Sequence, residues 1–341
     1  MILPINFKFL KHNAKKHLAT VVLLCAFSLS CFAKENQINN LIKQIELIRV
    51  NNHISGAVVL LLDKQNTLIN QRLGTSSWQN SQAMSADQMF RIGSISKSFA
   101  ALLALRMQQK GLIDLKKSMR HYTKKQHINN CYADTEISLE QLLEHTAGLA
   151  DLSKAEWDYN DSKPISIEQA LSLRKDQHKT RWQPGLHSSY SNVGAGMLGL
   201  ALEKATSEQG DVKSYEQLMD KYVFIPLGMK SSSLLLTGKV KSRLMTGYNT
   251  DGKTVIPYWH NIYRPFAAIN TDTADIIQFL QMLLNKGTVN GQHFLSPAAL
   301  VRMETPQTSL AAQSGLQYGY GLANYSWQFE GHTFHGHGGD A

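Results

Sequence analysis

Outside its N-terminal segment the chain is most apolar between residues 94 and 107, and that stretch carries a lysine near its head. Phe90-Arg91-Ile92-Gly93 leads into Ser94-Ile95-Ser96-Lys97, and Phe99, Leu102, Leu103 and Met107 follow at helical spacing. The pattern predicts a helix that begins at Ser94 and stops at Gly111, a residue suited to the left-handed turn after a helix. A fold that buries this helix must also accommodate Lys97. Serine and lysine three apart lie on one helix face. If that face lines a cleft, a desolvated lysine loses its charge and can take the proton of the serine hydroxyl, which is the first step of serine acyl transfer. The plainer reading of Ser94 is a helix N-cap. Spacing alone does not separate the two, because Ser172-Leu173-Arg174-Lys175 repeats it. Ser94 follows a glycine at the end of an element, whereas Ser172 sits inside Ile167–Leu173, which reads as a surface helix.

The N-terminus has a different composition. Lys8, Lys11, Lys15 and Lys16 precede an apolar or small run of fifteen residues from Leu18 to Phe32. That run is shorter than the roughly 20 residues a membrane-spanning helix needs and matches the core of a signal peptide. Cleavage is expected after Ala33, which places the mature chain in the periplasm or outside the cell with no stable membrane span. Ser28 stands where a lipoprotein signal wants leucine, so lipidation and an uncleaved anchor are the lesser alternatives. Removing the four lysines lowers the formal charge from +9 to +5. No basic-aromatic stripe accompanies that charge, and nucleic acid is not an expected partner. Cleavage also removes Cys25 and Cys31, and Cys131 alone forms no internal disulfide.

Glu35 to Asn51 reads as an amphipathic helix. Ile54–Leu62 and Thr67–Leu73 read as a hairpin about Asp63-Lys64-Gln65-Asn66. Residues 112–265 read mostly as helix and loop. Thr271–Asn285 reads as a helix with Thr271 as cap, Ile276, Phe279, Leu280, Leu283 and Leu284 inward, and Gly287 as stop. Tyr318–Phe329 and Thr333–Gly338 read as strands. The order predicts an α+β chain. It comprises a signal peptide over 1–33, a discontinuous sheet-containing part over 34–115 and 266–341, and a helical insertion over 116–265.

Serine-lysine chemistry also needs a proton donor for the leaving group and an oxyanion site. Tyr190-Ser191-Asn192 follows Pro184-Gly185 and precedes an apolar helix from Val193 to Ala205. Its phenol suits acid or base work, and its amide suits holding Lys97 or substrate. The plainer reading is a buried tyrosine and an Asn cap. In His335-Gly336-His337-Gly338-Gly339 the glycines permit close backbone approach, and His337 can supply a hydrogen bond or charge. A metal site on His332, His335 and His337 lacks a carboxylate or cysteine partner, so no metal or other cofactor is expected.

These three elements, in this order, resemble the S-x-x-K, Y-x-N and K-T-G triplet of class C β-lactamases and penicillin-binding proteins. Leu142-Leu143-Glu144-His145-Thr146-Ala147-Gly148-Leu149 and Pro226-Leu227-Gly228-Met229 are similar to further segments of that family. The resemblance spans most of Ile54–Ala341. It implies a β-lactamase/transpeptidase-like fold, an antiparallel sheet flanked by helices with a mostly helical insertion. It also implies roles. Ser94 is the acylated nucleophile, Lys97 its base, and Tyr190 the group that exchanges protons with Ser94 and the leaving group. Asn192 binds Lys97 and a substrate amide, and His337, Gly338 and Gly339 bind substrate. The backbone N–H groups of Ser94 and Asp340 form the oxyanion hole. His145-Thr146-Ala147-Gly148 is expected to be a structural turn beneath the cleft.

Histidine for lysine and glycine for threonine in the third element points away from dedicated β-lactamases, towards D-amino peptidases, DD-peptidase-like enzymes and family VIII-type esterases. The family continues with two more strands and a C-terminal helix, so this chain is expected to be truncated. The expected function is an exported serine hydrolase acting on a small molecule or peptide: an ester, a D-amino peptide or a β-lactam. The alternatives are an inactive truncated member that binds peptidoglycan-like peptides or partners in the envelope, and a His-rich metal binder. The sequence does not specify an oligomeric state.

Overall fold

The computed structural model describes residues 35–340 apart from 80, 125–127, 133, 160–162, 174, 208–211 and 213. The expected signal peptide lies outside the described residues. Helix α1 covers 35–51 as expected. Its Leu47 and Ile48 face solvent, and its anchor to the body is Arg49, whose guanidinium donates to the Ile54 carbonyl at 2.7 Å and pairs with Glu46. Strands β1 (Gly56–Leu62) and β2 (Thr67–Gly74) form the predicted antiparallel hairpin. The turn closes because Asp63 Oδ1 accepts from the backbone N–H groups of Gln65 and Asn66 at 2.8 and 2.6 Å.

Strand β3 (Met89–Arg91) leads into a 3₁₀ turn, Gly93–Ile95, and then helix α2 (Ser96–Gln109). Gly111 takes φ +71° just past its end. Every residue of α2 from Phe99 to Leu105 is buried, so the helix is enclosed on all sides rather than along one stripe. The Phe99 ring packs 4.5 Å from Phe279 and 6.1 Å from Phe224. One contiguous apolar cluster runs from Phe99 to Ala323 and joins α2 to residues of 119–263 and of 266–323.

Helix α3 (Asn192–Ser207) crosses beneath the segment 263–267. A Cβ on Gly196 would lie 2.6 Å from the Tyr263 ring, and one on Gly199 2.5 Å from Pro265. Only glycine lets that segment come down onto the helix. Tyr263 also donates to the buried Glu156 carboxylate at 2.6 Å, which lies 2.9 Å from His178. This ties the loop after residue 150 to the same segment.

Several boundaries differ from expectation, among them the start of α2, which is Ser96 rather than Ser94. Thr271 belongs to strand β4 (Asn270–Asp272), which pairs with β3, Phe90 opposite Thr271. The cap of helix α4 (Thr273–Leu284) is therefore Asp272, whose carboxylate accepts from Asp275 N at 3.0 Å. Leu284, expected inward, is exposed at the last turn. The Tyr318–Phe329 run is two strands, β5 (Gly319–Tyr320) and β6 (Tyr325–Phe329). They are separated by a turn in which Gly321 N donates to Asn324 O at 2.8 Å. Strand β7 is His332–Gly336, so His337 lies just past it. Strands β5, β6 and β7 form a sheet separate from the β1–β2 hairpin.

Candidate active site

Two glycines bring the turn after β3 and the backbone just past β7 together. Gly93 has φ +52°, and a Cβ there would fall 2.3 Å from the Asp340 carbonyl oxygen and 2.8 Å from Asp340 N. A Cβ on Gly339 would fall 2.1 Å from the Ile92 carbonyl oxygen. The backbone of 339–340 is thus pressed against 92–93, and Asp340 N sits beside the turn that carries Ser94. Gly338 has open space where a side chain would go.

Ser94 lies in the 3₁₀ turn, one residue ahead of the α2 cap. Its hydroxyl caps nothing and instead meets Lys97 Nζ at 3.0 Å. Lys97 is 1% exposed. Its other hydrogen-bond partner is the Phe266 carbonyl at 3.0 Å, on the segment that α3's glycines admit. Its ammonium stands 4.7 Å from the Tyr190 ring centroid and 5.3 Å from that of Phe266. Burial lowers the Lys97 pKa to about 7, with the charge of Asp151 opposing the shift. An amine half neutral at pH 7 beside a serine hydroxyl can accept its proton.

Burial raises the Tyr190 pKa, with the nearby Ser94 side chain opposing the shift, so it is a phenol at neutral pH. The His145 turn lies beneath it. His145 takes φ +59°, its Nδ1 accepts from Ser191 N at 3.1 Å, and its ring packs 4.3 Å from Tyr190. Burial and then the charge of Lys97 hold His145 well below its ordinary pKa. It is a neutral prop.

Asn192 does not reach Lys97 as the resemblance implied. Its backbone N–H and Nδ2 donate to the two Asp151 oxygens at 2.7 and 3.2 Å. Its Oδ1 is buried with no partner. The Phe266 carbonyl takes the place at Lys97 that Asn192 was expected to fill. His337 comes within 6.1 Å of Tyr190, ring to ring. Its Nε2 lies 2.8 Å from the Tyr320 hydroxyl, and its Nδ1 faces the Gly338 carbonyl. Burial lowers its pKa to about 4, the Gly338 bond opposes that, and the charge of Lys97 adds to it. His337 is therefore uncharged at neutral pH, which leaves out the charge among the two roles, hydrogen bond or charge, open to it.

The structure brings Ser94, Lys97, Tyr190, His337 and the 339–340 backbone together. It adds Asp151, the Phe266 carbonyl and Tyr320, none of which carries a local sequence signal. Ser172 is exposed and bonded to the Glu168 carbonyl at 2.8 Å, remote from any such cluster. Among the described residues no group of three or more His, Cys, Asp or Glu is placed to hold a metal ion, and no helix is long and apolar enough to cross a membrane. A polar cavity of about 880 Å³ between Gln108 and Arg302 does not touch Ser94.

The sequence pattern of the beta-lactamase family matches residues 38–341. Protein flp of Staphylococcus aureus (strain MW2) is 24% identical over 238 residues, 68% of this chain and 46% of that protein. The chain thus spans about half the length of such relatives. Among solved structures, the octameric penicillin-binding protein homologue from Pyrococcus abyssi superposes with a TM-score of 0.72 at 20% identity, covering 89% of this chain and 68% of that one. EstCE1, a hydrolase with promiscuous acyltransferase activity, gives 0.69 at 19% identity, covering 88% and 90%. At these identities the structures establish the shared fold.

Proposed function

The chain belongs to the beta-lactamase family, and on that premise we propose that it is an exported serine hydrolase that forms an acyl-enzyme on Ser94, with uncharged esters as its preferred acyl donors. The observation that carries this is the 3.0 Å contact between Ser94 Oγ and a buried Lys97 whose pKa falls to about 7. A protein that only bound peptides would gain nothing from burying that amine, which costs stability. Neutral Lys97 takes the hydroxyl proton as Oγ attacks the ester carbonyl carbon. The negative charge that develops on the carbonyl oxygen is held by the N–H groups of Ser94 and Asp340. Tyr190 gives its proton to the departing alkoxide and is reprotonated from Lys97. A water then attacks the acyl-enzyme, its proton passes back through the same groups, and Ser94 Oγ leaves with a proton restored.

The preference for uncharged donors follows from His337. A lysine at its position would be a permanent cation for a substrate carboxylate, whereas this imidazole is neutral and internally bonded. Export rests on the basic and apolar pattern of residues 8–33. The test compares p-nitrophenyl butyrate with nitrocefin, a cephalosporin, on wild type and Ser94→Ala. The reading expects ester turnover to exceed cephalosporin turnover and to vanish in the variant. Ester turnover that survives Ser94→Ala would refute the nucleophile, and faster cephalosporin turnover would refute the preference.

A further inference from the structure

Tyr320 has no role in the mechanism above, yet it is 4% exposed and its hydroxyl points at the site. It ends strand β5 and pairs with Tyr325 across to β6, the two rings edge to face at 4.5 Å. Its other face meets His145 at 4.8 Å. The hydroxyl lies 2.8 Å from His337 Nε2. The direction of that bond is decided on the far side of the imidazole, where Nδ1 faces the Gly338 carbonyl oxygen. A carbonyl only accepts, so Nδ1 carries a proton; in the neutral ring that burial favours, Nε2 then presents a lone pair and Tyr320 donates. Both ring nitrogens are then used inside the protein, and the single ring N–H is not free for a substrate.

Among the described residues no carboxylate is hydrogen-bonded to this imidazole, and Asp340, three residues on, acts on Tyr190. Tyr320 and Tyr325 face it from the sheet and Tyr190 from the loop before α3, with His145 packed against Tyr320 and Tyr190. Lys97 acts on it from α2 with charge of the same sign. His335, two residues earlier, turns away to the Ser326 hydroxyl at 2.8 Å.

We propose that Tyr320 is a specificity-determining positioning residue: by donating to His337 Nε2 it holds that imidazole as an uncharged, Nδ1-protonated ring, and so biases the site towards acyl donors that lack a carboxylate. The proposal rests on the serine hydrolase reading for its consequence and on the Tyr320–His337 bond for its cause, and the two are tested separately.

The cause is read by NMR of ¹⁵N-histidine-labelled protein, without any substrate. In wild type His337 should show the Nδ1–H tautomer and no titration down to pH 5.5. In Tyr320→Phe, which keeps the ring, Nε2 loses its donor and the titration should move up by about one pH unit. The consequence is read as the kcat/KM ratio of p-nitrophenyl hemiglutarate, which carries a carboxylate, to p-nitrophenyl butyrate, which does not. Wild type should keep a flat ratio from pH 5.5 to 8. In Tyr320→Phe the ratio should rise about three- to tenfold at pH 5.5 relative to pH 8. Adding His337→Gln to that variant should remove the rise. An Nε2–H tautomer or an imidazolium in wild type at pH 7 overturns the proposal even if the variant does not fold. A Tyr320→Phe protein with unchanged titration and a flat ratio overturns it as well. If no ester acylates Ser94 in wild type, the hydrolase reading fails on its own, and the tautomer measurement still decides the bond.

Discussion

Replacing Lys97 with methionine should make the protein more stable and inactive at once. Lys97 is buried, and its pKa falls from 10.5 to about 7 on folding. At pH 7 the unfolded chain holds the lysine proton almost completely, while the folded chain holds it about half the time. By linkage that difference costs the folded state about 4 kcal/mol. Methionine fills a similar volume with no charge to desolvate. It leaves the Phe266 carbonyl without the donor it has at 3.0 Å, a loss of about 1–2 kcal/mol. The net expectation for Lys97→Met is a gain of about 2–3 kcal/mol at pH 7, with ester turnover reduced to background. The pH dependence identifies the cause. A folded pKa below the unfolded one means that the unfolded state binds more protons between about 7 and 10.5. Wild-type stability therefore rises with pH across that window, and the advantage of the variant is full below pH 7 and fades towards pH 10.5. Urea unfolding of both proteins at pH 6.5, 8 and 9.5 measures it. A variant less stable than wild type at pH 6.5, or a gap that does not narrow with pH, would refute the reasoning.

The same titration governs chemistry with the opposite protonation state in play. Only neutral Lys97 accepts the Ser94 proton, so the rate at which a fluorophosphonate modifies Ser94 should rise about tenfold from pH 6 to pH 8 and then level off; a flat profile in stopped-time labelling would exclude Lys97 as the base. Gly339→Ala puts a Cβ 2.1 Å from the Ile92 carbonyl oxygen, so it should displace the oxyanion donor and lower kcat about 10²-fold. Gly338→Ala meets open space and should leave kcat within about twofold; equal kinetics for the two variants would separate the oxyanion hole from this segment.

The elements that were legible in the sequence are those set by local pattern. The α2 helix was visible because apolar residues repeat at helical spacing and Gly111 stops them, and the β1–β2 hairpin because Asp63 forms its turn within three residues. The misplaced start of α4 has a non-local cause. Asn270–Asp272 is drawn into pairing with Met89–Arg91, some 180 residues away, and that pairing passes the capping role from Thr271 to Asp272. The split in Tyr318–Phe329 also depends on a distant partner, since a Cβ on Gly321 would lie 2.3 Å from the Met303 carbonyl oxygen.

The site divides in the same way. Ser94 and Lys97 lie three apart in the sequence and could be paired from spacing. The Phe266 carbonyl that holds Lys97 carries no side-chain signal, and it reaches the lysine only because Gly196 and Gly199 admit its segment. Asp151 and Tyr320 act across the fold on Asn192 and His337, and nothing beside them in the chain marks them. His337 shows the limit most plainly. Its residue type left a hydrogen bond or a charge open, and only its buried surroundings decide against the charge.

The central claim is that Ser94 is the nucleophile, and peptide mapping by mass spectrometry after treatment with a fluorophosphonate tests it most directly. The account predicts a single adduct on the peptide containing Ser94, absent from Ser94→Ala and retained in Ser172→Ala. An adduct on another serine, or undiminished labelling of Ser94→Ala, would contradict it.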